Sequence, residues 1–162
     1  MLQRTRAQTV ANIYEEFFQR LPDWEEIAQT EELELGEFLQ SLGLWCRRAA
    51  GLKKLAPYAA DRDGVFPDAE TELADVSAVG QYVGSAILLF QLGQRQPLLD
   101  VNMARLFEIY VCLRKLADIR HDPWLQAVAD WLMREENPIE TNWAAQDFSS
   151  ITCQVAKPKC IG

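Results

Sequence analysis

Apolar residues recur along most of the chain at the three- and four-residue spacing of helices, and no strand-type alternation persists. Over residues 5–20, Val10, Ile13, Tyr14, Phe17 and Phe18 fall on one face of an expected helix. Leu21-Pro22-Asp23 breaks it, because proline lacks the N–H that a helix interior uses. A short helix starting at Pro22 or Asp23 and running to Ala28 follows, then one over residues 32–42 that Gly43 stops as a C-cap. Residues 44–60 form the next, and Asp61-Arg62-Asp63-Gly64 reads as a turn. Pro67-Asp68 opens a short helix. An apolar helix over 81–92 ends at Gly93. Helices over 101–113, 123–134 and 139–152 complete an all-α reading. The break Gly93-Gln94-Arg95-Gln96-Pro97 separates two groups of helices, 1–95 and 96–162.

A chain of 162 residues, 49 % apolar, buries one good core or two small ones. There is no internal repeat and no low-complexity tract. The longest apolar run, residues 86–90, is far too short to cross a membrane, and the polar start does not read as a signal peptide. Four cysteines without the paired spacing of small secreted folds point to a reducing, cytoplasmic setting. The net charge of −8 argues against a nucleic-acid partner, since phosphate contacts supply most non-specific affinity. Its distribution softens that objection. Residues 12–40 hold nine acids and one base, Arg20, and so carry the whole excess. This segment is expected to face away from any polyanion, and binding is expected to be salt-sensitive.

Candidate chemistry concentrates in residues 76–105, VSAVGQYVGSAILLFQLGQRQPLLDVNMAR. The turn Ala78-Val79-Gly80 leads into a helix at Gln81, and backbone N–H groups at such a start suit a phosphate. Asp100 lies eighteen residues after Tyr82, at the mouth of the next helix, and is the one acid in the stretch. An Asp directly before a helix is a good N-cap, and the positive helix end also favours a fixed anion. A phosphate grip and a fixed carboxylate in one unit suggest chemistry on a nucleic-acid backbone or sugar.

Five segments appear in a recognisable order: LQRTRAQTV (2–10), LGLWCRRAAGLKKLA (42–56), VSAVG (76–80), LLDVNMARL (98–106) and QDFSSITCQVAKPKC (146–160). Together they resemble the helix-hairpin-helix DNA glycosylases related to endonuclease III. The resemblance implies an all-α fold of two helical lobes flanking an active-site cleft. It makes Asp100 the catalytic acid, with Asn102 holding it or the sugar. Tyr82 stands where bifunctional members carry the lysine that attacks the sugar; a phenol forms no imine, so the chain is expected to release a base without cutting the strand. Tyrosine here resembles thymine-mismatch members, whereas adenine-mismatch members tend to have serine. Gln3 and Arg4 match the segment that fills the gap left by a flipped base. Val79, Gly80 and Gln81 would offer hairpin amides to DNA, and Arg47 and Arg48, with Lys53 and Lys54, side chains for its phosphates.

The expected function is therefore a monofunctional glycosylase of base excision repair acting on thymine or uracil opposite guanine. Its partner is double-stranded DNA with a mismatched or damaged base, with no membrane and the chain a monomer. The rivals are an adenine glycosylase and a DNA-binding remnant without catalysis. Cys153 and Cys160 match the first two ligands of the family's C-x6-C-x2-C-x5-C loop, so a 4Fe-4S cluster is expected only in a longer form and none in this chain. Cys46 and Cys112 read as buried thiols, His121 as a surface residue and Asp147 as a bonding residue within the second lobe. The hairpin departs from the family's LPGVG: Ser77 replaces a proline and Ala78 a glycine. If position 78 needs a positive φ, alanine there costs stability.

Overall fold

The computed structural model describes residues 5, 7–111, 122–134 and 136–152. The described residues form helices and turns, with no strand. The chain packs as two compact units, Met1–Val79 and Gly80–Gly162.

In the first unit α1 spans Ala7–Arg20, α2 Trp24–Gln29, α3 Glu32–Phe38, α4 Trp45–Ala60 and α5 Glu70–Ala74, with a 3-10 turn at Gln40–Leu42. Local chemistry sets the boundaries. Asp23 caps α2, its carboxylate accepting the Glu26 N–H at 2.8 Å. At the other end of α2 the Lys53 ammonium donates to the Ala28 and Thr30 carbonyls, each at 2.6 Å, which anchors α4 to α2. Gly43 (φ +69°) stops the turn before α4, and Leu44 follows in the same left-handed region (φ +51°). Both α2 and α3 pack on α4. The core is Val10, Phe17, Leu21, Ile27, Leu35, Leu39, Leu42, Ala49 and Ala56. Truncating a fully buried leucine such as Leu35 to alanine costs about 2–5 kcal/mol in cores of this kind.

Three sequence expectations shift. The apolar face of α1 is narrower than the pattern implies: Val10 and Phe17 are buried and Ile13 packs against the core, whereas Tyr14 and Phe18 lie at its edge, 54 % and 48 % exposed, with rings 4.9 Å apart. Helix α5 starts at Glu70, not at Pro67-Asp68, because buried Phe66 packs against Trp24 and Tyr58 and keeps the chain extended beyond it. Cys46 is exposed, because the core stripe of α4 runs through Trp45, Ala49, Leu52 and Ala56 and leaves position 46 beside it.

The second unit holds α6 (Gln81–Phe90), α7 (Val101–Tyr110), α8 (Pro123–Leu132) and α9 (Pro138–Thr152). Helix α6 ends two residues earlier than the pattern suggests. Gly93 takes φ +65° and the Gln94 N–H reaches back to the Leu88 carbonyl at 2.9 Å, so a left-handed glycine turns the chain back onto the helix end. Helix α7 packs on α8 and α9, and α6 packs on α9. The division at residue 80 therefore groups α6 with the later helices, while the sequence pattern alone breaks near residue 95. The α7–α8 core consists of Leu99, Met103, Ala104, Phe107, Leu125 and Ala129.

Between α5 and α6 the chain makes the turn Val76–Val79, closed by a Val79 N–H to Val76 carbonyl bond of 3.1 Å. Ala78 within it has φ +67°. The left-handed region costs a residue with a Cβ roughly 1–2 kcal/mol, while glycine there would add about 0.4–1 kcal/mol of unfolded-chain entropy. Ala78→Gly is therefore expected to raise the unfolding free energy by about 0.5–1 kcal/mol. Urea unfolding followed by circular dichroism checks this; a lowered midpoint at unchanged slope contradicts the strain.

Candidate active site

The loop after α6 runs through Gln96, Pro97 and Leu98 to Asp100, and two amide side chains of α9 hold it. Asn142, fully buried, accepts the Leu98 N–H at 2.7 Å and donates to the Gln96 and Pro138 carbonyls at 3.0 and 2.8 Å. One helical turn later Gln146 donates to the Leu98 carbonyl at 3.0 Å. Both backbone groups of Leu98 are thus tied to one helix face, and Asp100 follows two residues on.

Asp100 is the N-cap of α7, with extended backbone (φ −90°, ψ 178°). Its Oδ1 accepts the N–H groups of Asn102 (3.0 Å) and Met103 (2.8 Å). Its Oδ2 accepts Asn102 Nδ2 at 3.0 Å. Arg105 donates to Asn102 Oδ1 at 3.4 Å. The carboxylate is half-buried, oriented by three N–H donors, and set at the positive end of a ten-residue helix.

Tyr82 sits in the first turn of α6, partly buried, and its Oη receives a hydrogen bond from Gln146 Nε2 at 3.3 Å. Burial pushes the phenol above its ordinary pKa; the Gln146 bond pulls it back, and the Asp100 charge raises it further. The two candidate catalytic side chains, eighteen residues apart in sequence, therefore share one electrostatic environment. Such an arrangement can present a neutral phenol and a fixed anion to a sugar developing positive charge.

The remaining expected site residues divide. At the hairpin the Val79 N–H is committed to Val76, so it is not a free donor. Gly80 is the N-cap of α6 without a side-chain cap bond, and space around it is open. Gln81 is exposed at the first position of the helix. Arg47 and Lys54 are exposed. Arg48 turns inward: its guanidinium donates to the Gly43 carbonyl (2.9 Å) and to Thr5 Oγ1 (2.8 Å), which in turn donates to the Leu42 carbonyl (2.8 Å). It satisfies the carbonyls of a left-handed turn, and Lys53 serves α2, so neither is a free phosphate contact. Gln3, Arg4, Cys112, His121, Cys153 and Cys160 lie outside the described residues. Among the described residues no group of three His, Cys, Asp or Glu is placed to hold a metal ion. The chain's four cysteines include only two at the family's spacing, whereas a four-iron cluster takes four thiolates, so the residues present do not fit one.

Sequence reasoning missed Asn142 and Gln146. It expected Asp147 to bond within the second lobe, but Asp147 is exposed and its neighbour Gln146 makes the tertiary bonds. The available signal was an Asn and a Gln four residues apart on a helix with apolar neighbours, which places two amides on one face.

The chain is similar to known proteins over nearly its whole length. A thymine-DNA glycosylase of Aeropyrum pernix is 31 % identical over 99 % of this chain and 74 % of its own length. An adenine DNA glycosylase of Arabidopsis thaliana is 26 % identical over 99 % of this chain and 28 % of its own. The solved structure of a thermostable thymine-DNA glycosylase superposes with a TM-score of 0.80 at 28 % identity, covering 98 % of this chain and 74 % of that one. Residues 1–120 match the family described as HhH-GPD superfamily base excision DNA repair protein, so the chain belongs to the HhH-GPD superfamily.

Proposed function

We propose that this chain is a monofunctional DNA glycosylase that hydrolyses the N-glycosidic bond of thymine or uracil opposite guanine. The observation that carries the reading is Tyr82 itself: a phenol, not an amine, is joined through Gln146 to the Leu98 loop that sets the oriented carboxylate of Asp100. Cleavage of the glycosidic bond leaves the electron pair on the departing base and builds positive charge on the deoxyribose, as in other glycoside hydrolyses. Asp100 stabilises that charge and orients a water, whose oxygen bonds to the sugar carbon and whose proton is released. Asn102 pins the carboxylate in place. Without an amine at position 82 no Schiff base forms, and the strand stays intact. The thymine-DNA glycosylase is 31 % identical to this chain and the adenine relative 26 %, which favours the pyrimidine reading over adenine. The open start of α6 at Gly80 and Gln81 supplies DNA contacts. The acidic stretch 12–40 weakens binding by repelling the phosphates, whereas each cation–phosphate contact makes binding salt-sensitive.

A panel of single-mismatch duplexes tests the reading. Duplexes with T or U opposite G are expected to acquire alkali-labile sites, and borohydride is expected to trap no covalent complex. Efficient trapping contradicts the monofunctional reading, and excision of adenine alone overturns the substrate.

Asp100→Asn is expected to lower the single-turnover excision rate by at least about 10²–10³ while DNA binding persists. Asparagine caps helices about as well as aspartate, so the melting temperature should change little. A near wild-type rate reduces Asp100 to a capping residue.

Gly80 has φ −86°, close to the range proline adopts, and open space around it. Gly80→Pro thus removes one N–H with limited backbone change. Matched and mismatched duplexes should then bind more weakly to a similar degree. Unchanged affinity, with the helix content confirmed by circular dichroism, shows that this amide does not hold DNA.

A further inference from the structure

Gln146 joins the two halves of the candidate site. Its side-chain nitrogen lies 3.0 Å from the Leu98 carbonyl and 3.3 Å from Tyr82 Oη. A carbonyl only accepts, so the amide must present its NH2 group there. That group has two hydrogens and no acceptor lone pair: one hydrogen goes to Leu98 and the other to Tyr82. The phenol therefore receives from Gln146 and does not donate to it. The Tyr82 hydrogen is left for another acceptor.

We propose that Gln146 is a positioning residue which, by donating to Leu98 and Tyr82 together, holds the phenol as a hydrogen-bond donor to an oxygen of the bound DNA. The inference rests on the glycosylase reading above. Two DNA oxygens have the required chemistry: a carbonyl of the departing pyrimidine, whose negative charge grows as the bond breaks, and a backbone phosphate. The raised pKa of Tyr82 agrees, since it keeps the phenol protonated across the neutral range. The tie to Leu98 also couples the phenol's placement to that of Asp100.

Gln146→Glu reverses the polarity. An ionised carboxylate accepts from the phenol and cannot donate to Leu98. The experiment measures single-turnover excision by the full chain on a U:G duplex, with affinities for that duplex and for one carrying a tetrahydrofuran abasic site. Gln146→Glu should slow excision by about tenfold to a hundredfold at pH 8. Part of the rate should return as pH falls and the new carboxyl protonates, a recovery absent from the wild type. In the Tyr82→Phe background the same change should cost clearly less than in the wild type, the remainder being its effect on the Leu98 loop, because part of the action of Gln146 passes through the phenol. If the acceptor is the pyrimidine, affinity for the abasic duplex stays unchanged in Gln146→Glu; if it is a phosphate, both affinities fall. Losses that simply add in the double variant, or a wild-type rate in Gln146→Glu, overturn the proposal. Should the glutamate variant melt early, Gln146→Met, which keeps the volume and removes the donors, enters the same cycle with the same criteria. A wild type that excises no base removes the glycosylase reading and this inference together. A wild type that excises, combined with additive losses, removes this inference alone.

Discussion

The clamp on Leu98 is the constraint on which the candidate site depends. Asp100 begins a helix, and a helix start is placed only as well as the loop before it. Here both polar backbone groups of Leu98 bond to α9, through Asn142 and Gln146. Asn142 lies in a fully buried position with its oxygen and nitrogen both engaged. Removing either partner of such a buried bond leaves an unsatisfied group, which costs about 1–3 kcal/mol. The alternatives to this loop conformation are therefore unfavourable, and the carboxylate inherits that rigidity. The same helix reaches Tyr82 through Gln146, so one element fixes the two candidate catalytic groups relative to each other.

The first unit shows the opposite use of polar side chains. Arg48 and Lys53 direct their charges inward, onto the carbonyls of the Gly43 turn and the end of α2. Burial works against the charge of Arg48, lowering its pKa, yet a guanidinium remains protonated and keeps its donors. These bonds stabilise a tight turn in which both Gly43 and Leu44 take positive φ. They also commit two cations of a chain already at net −8 to its own carbonyls. Arg47 and Lys54, one position away from each, stay exposed. Adjacent basic residues on one helix thus do different work according to the face on which they fall.

That contrast marks how far the sequence could be read. Elements set by nearest neighbours were visible: the break at Leu21-Pro22-Asp23, the Asp100 cap, the Gly43 and Gly93 stops and the helix start at Pro123 each act within a few residues. The family's order of motifs made Asp100 and Tyr82 candidates and placed Ala78 under suspicion, and Ala78 takes φ +67°. The directions of Arg48 and Lys53 were not visible, since their partners lie across tertiary contacts. Asn142 and Gln146 were missed for the same reason: their loop partners lie more than forty residues earlier. A helix pattern reports which face is apolar, and an amide on that face looks like an interruption until its backbone partner is known.

Asp100 shows why a capping residue and a catalytic one need not compete. As a cap it contributes about 1 kcal/mol to the helix. The bonds that provide this, from Asn102 and Met103, converge on Oδ1. Oδ2 accepts a single bond, from the Asn102 side chain, so a carboxylate oxygen retains lone-pair capacity for a water or a sugar. Capping fixes the orientation of that free capacity, and the helix end adds a field that favours the anion. A carboxylate on a flexible loop would have to be ordered when the substrate binds. Here folding has already ordered it, through α7 on one side and the Leu98 clamp on the other. Stability and the proposed chemistry thus draw on the same hydrogen bonds, and the group that closes the helix is already oriented for reaction.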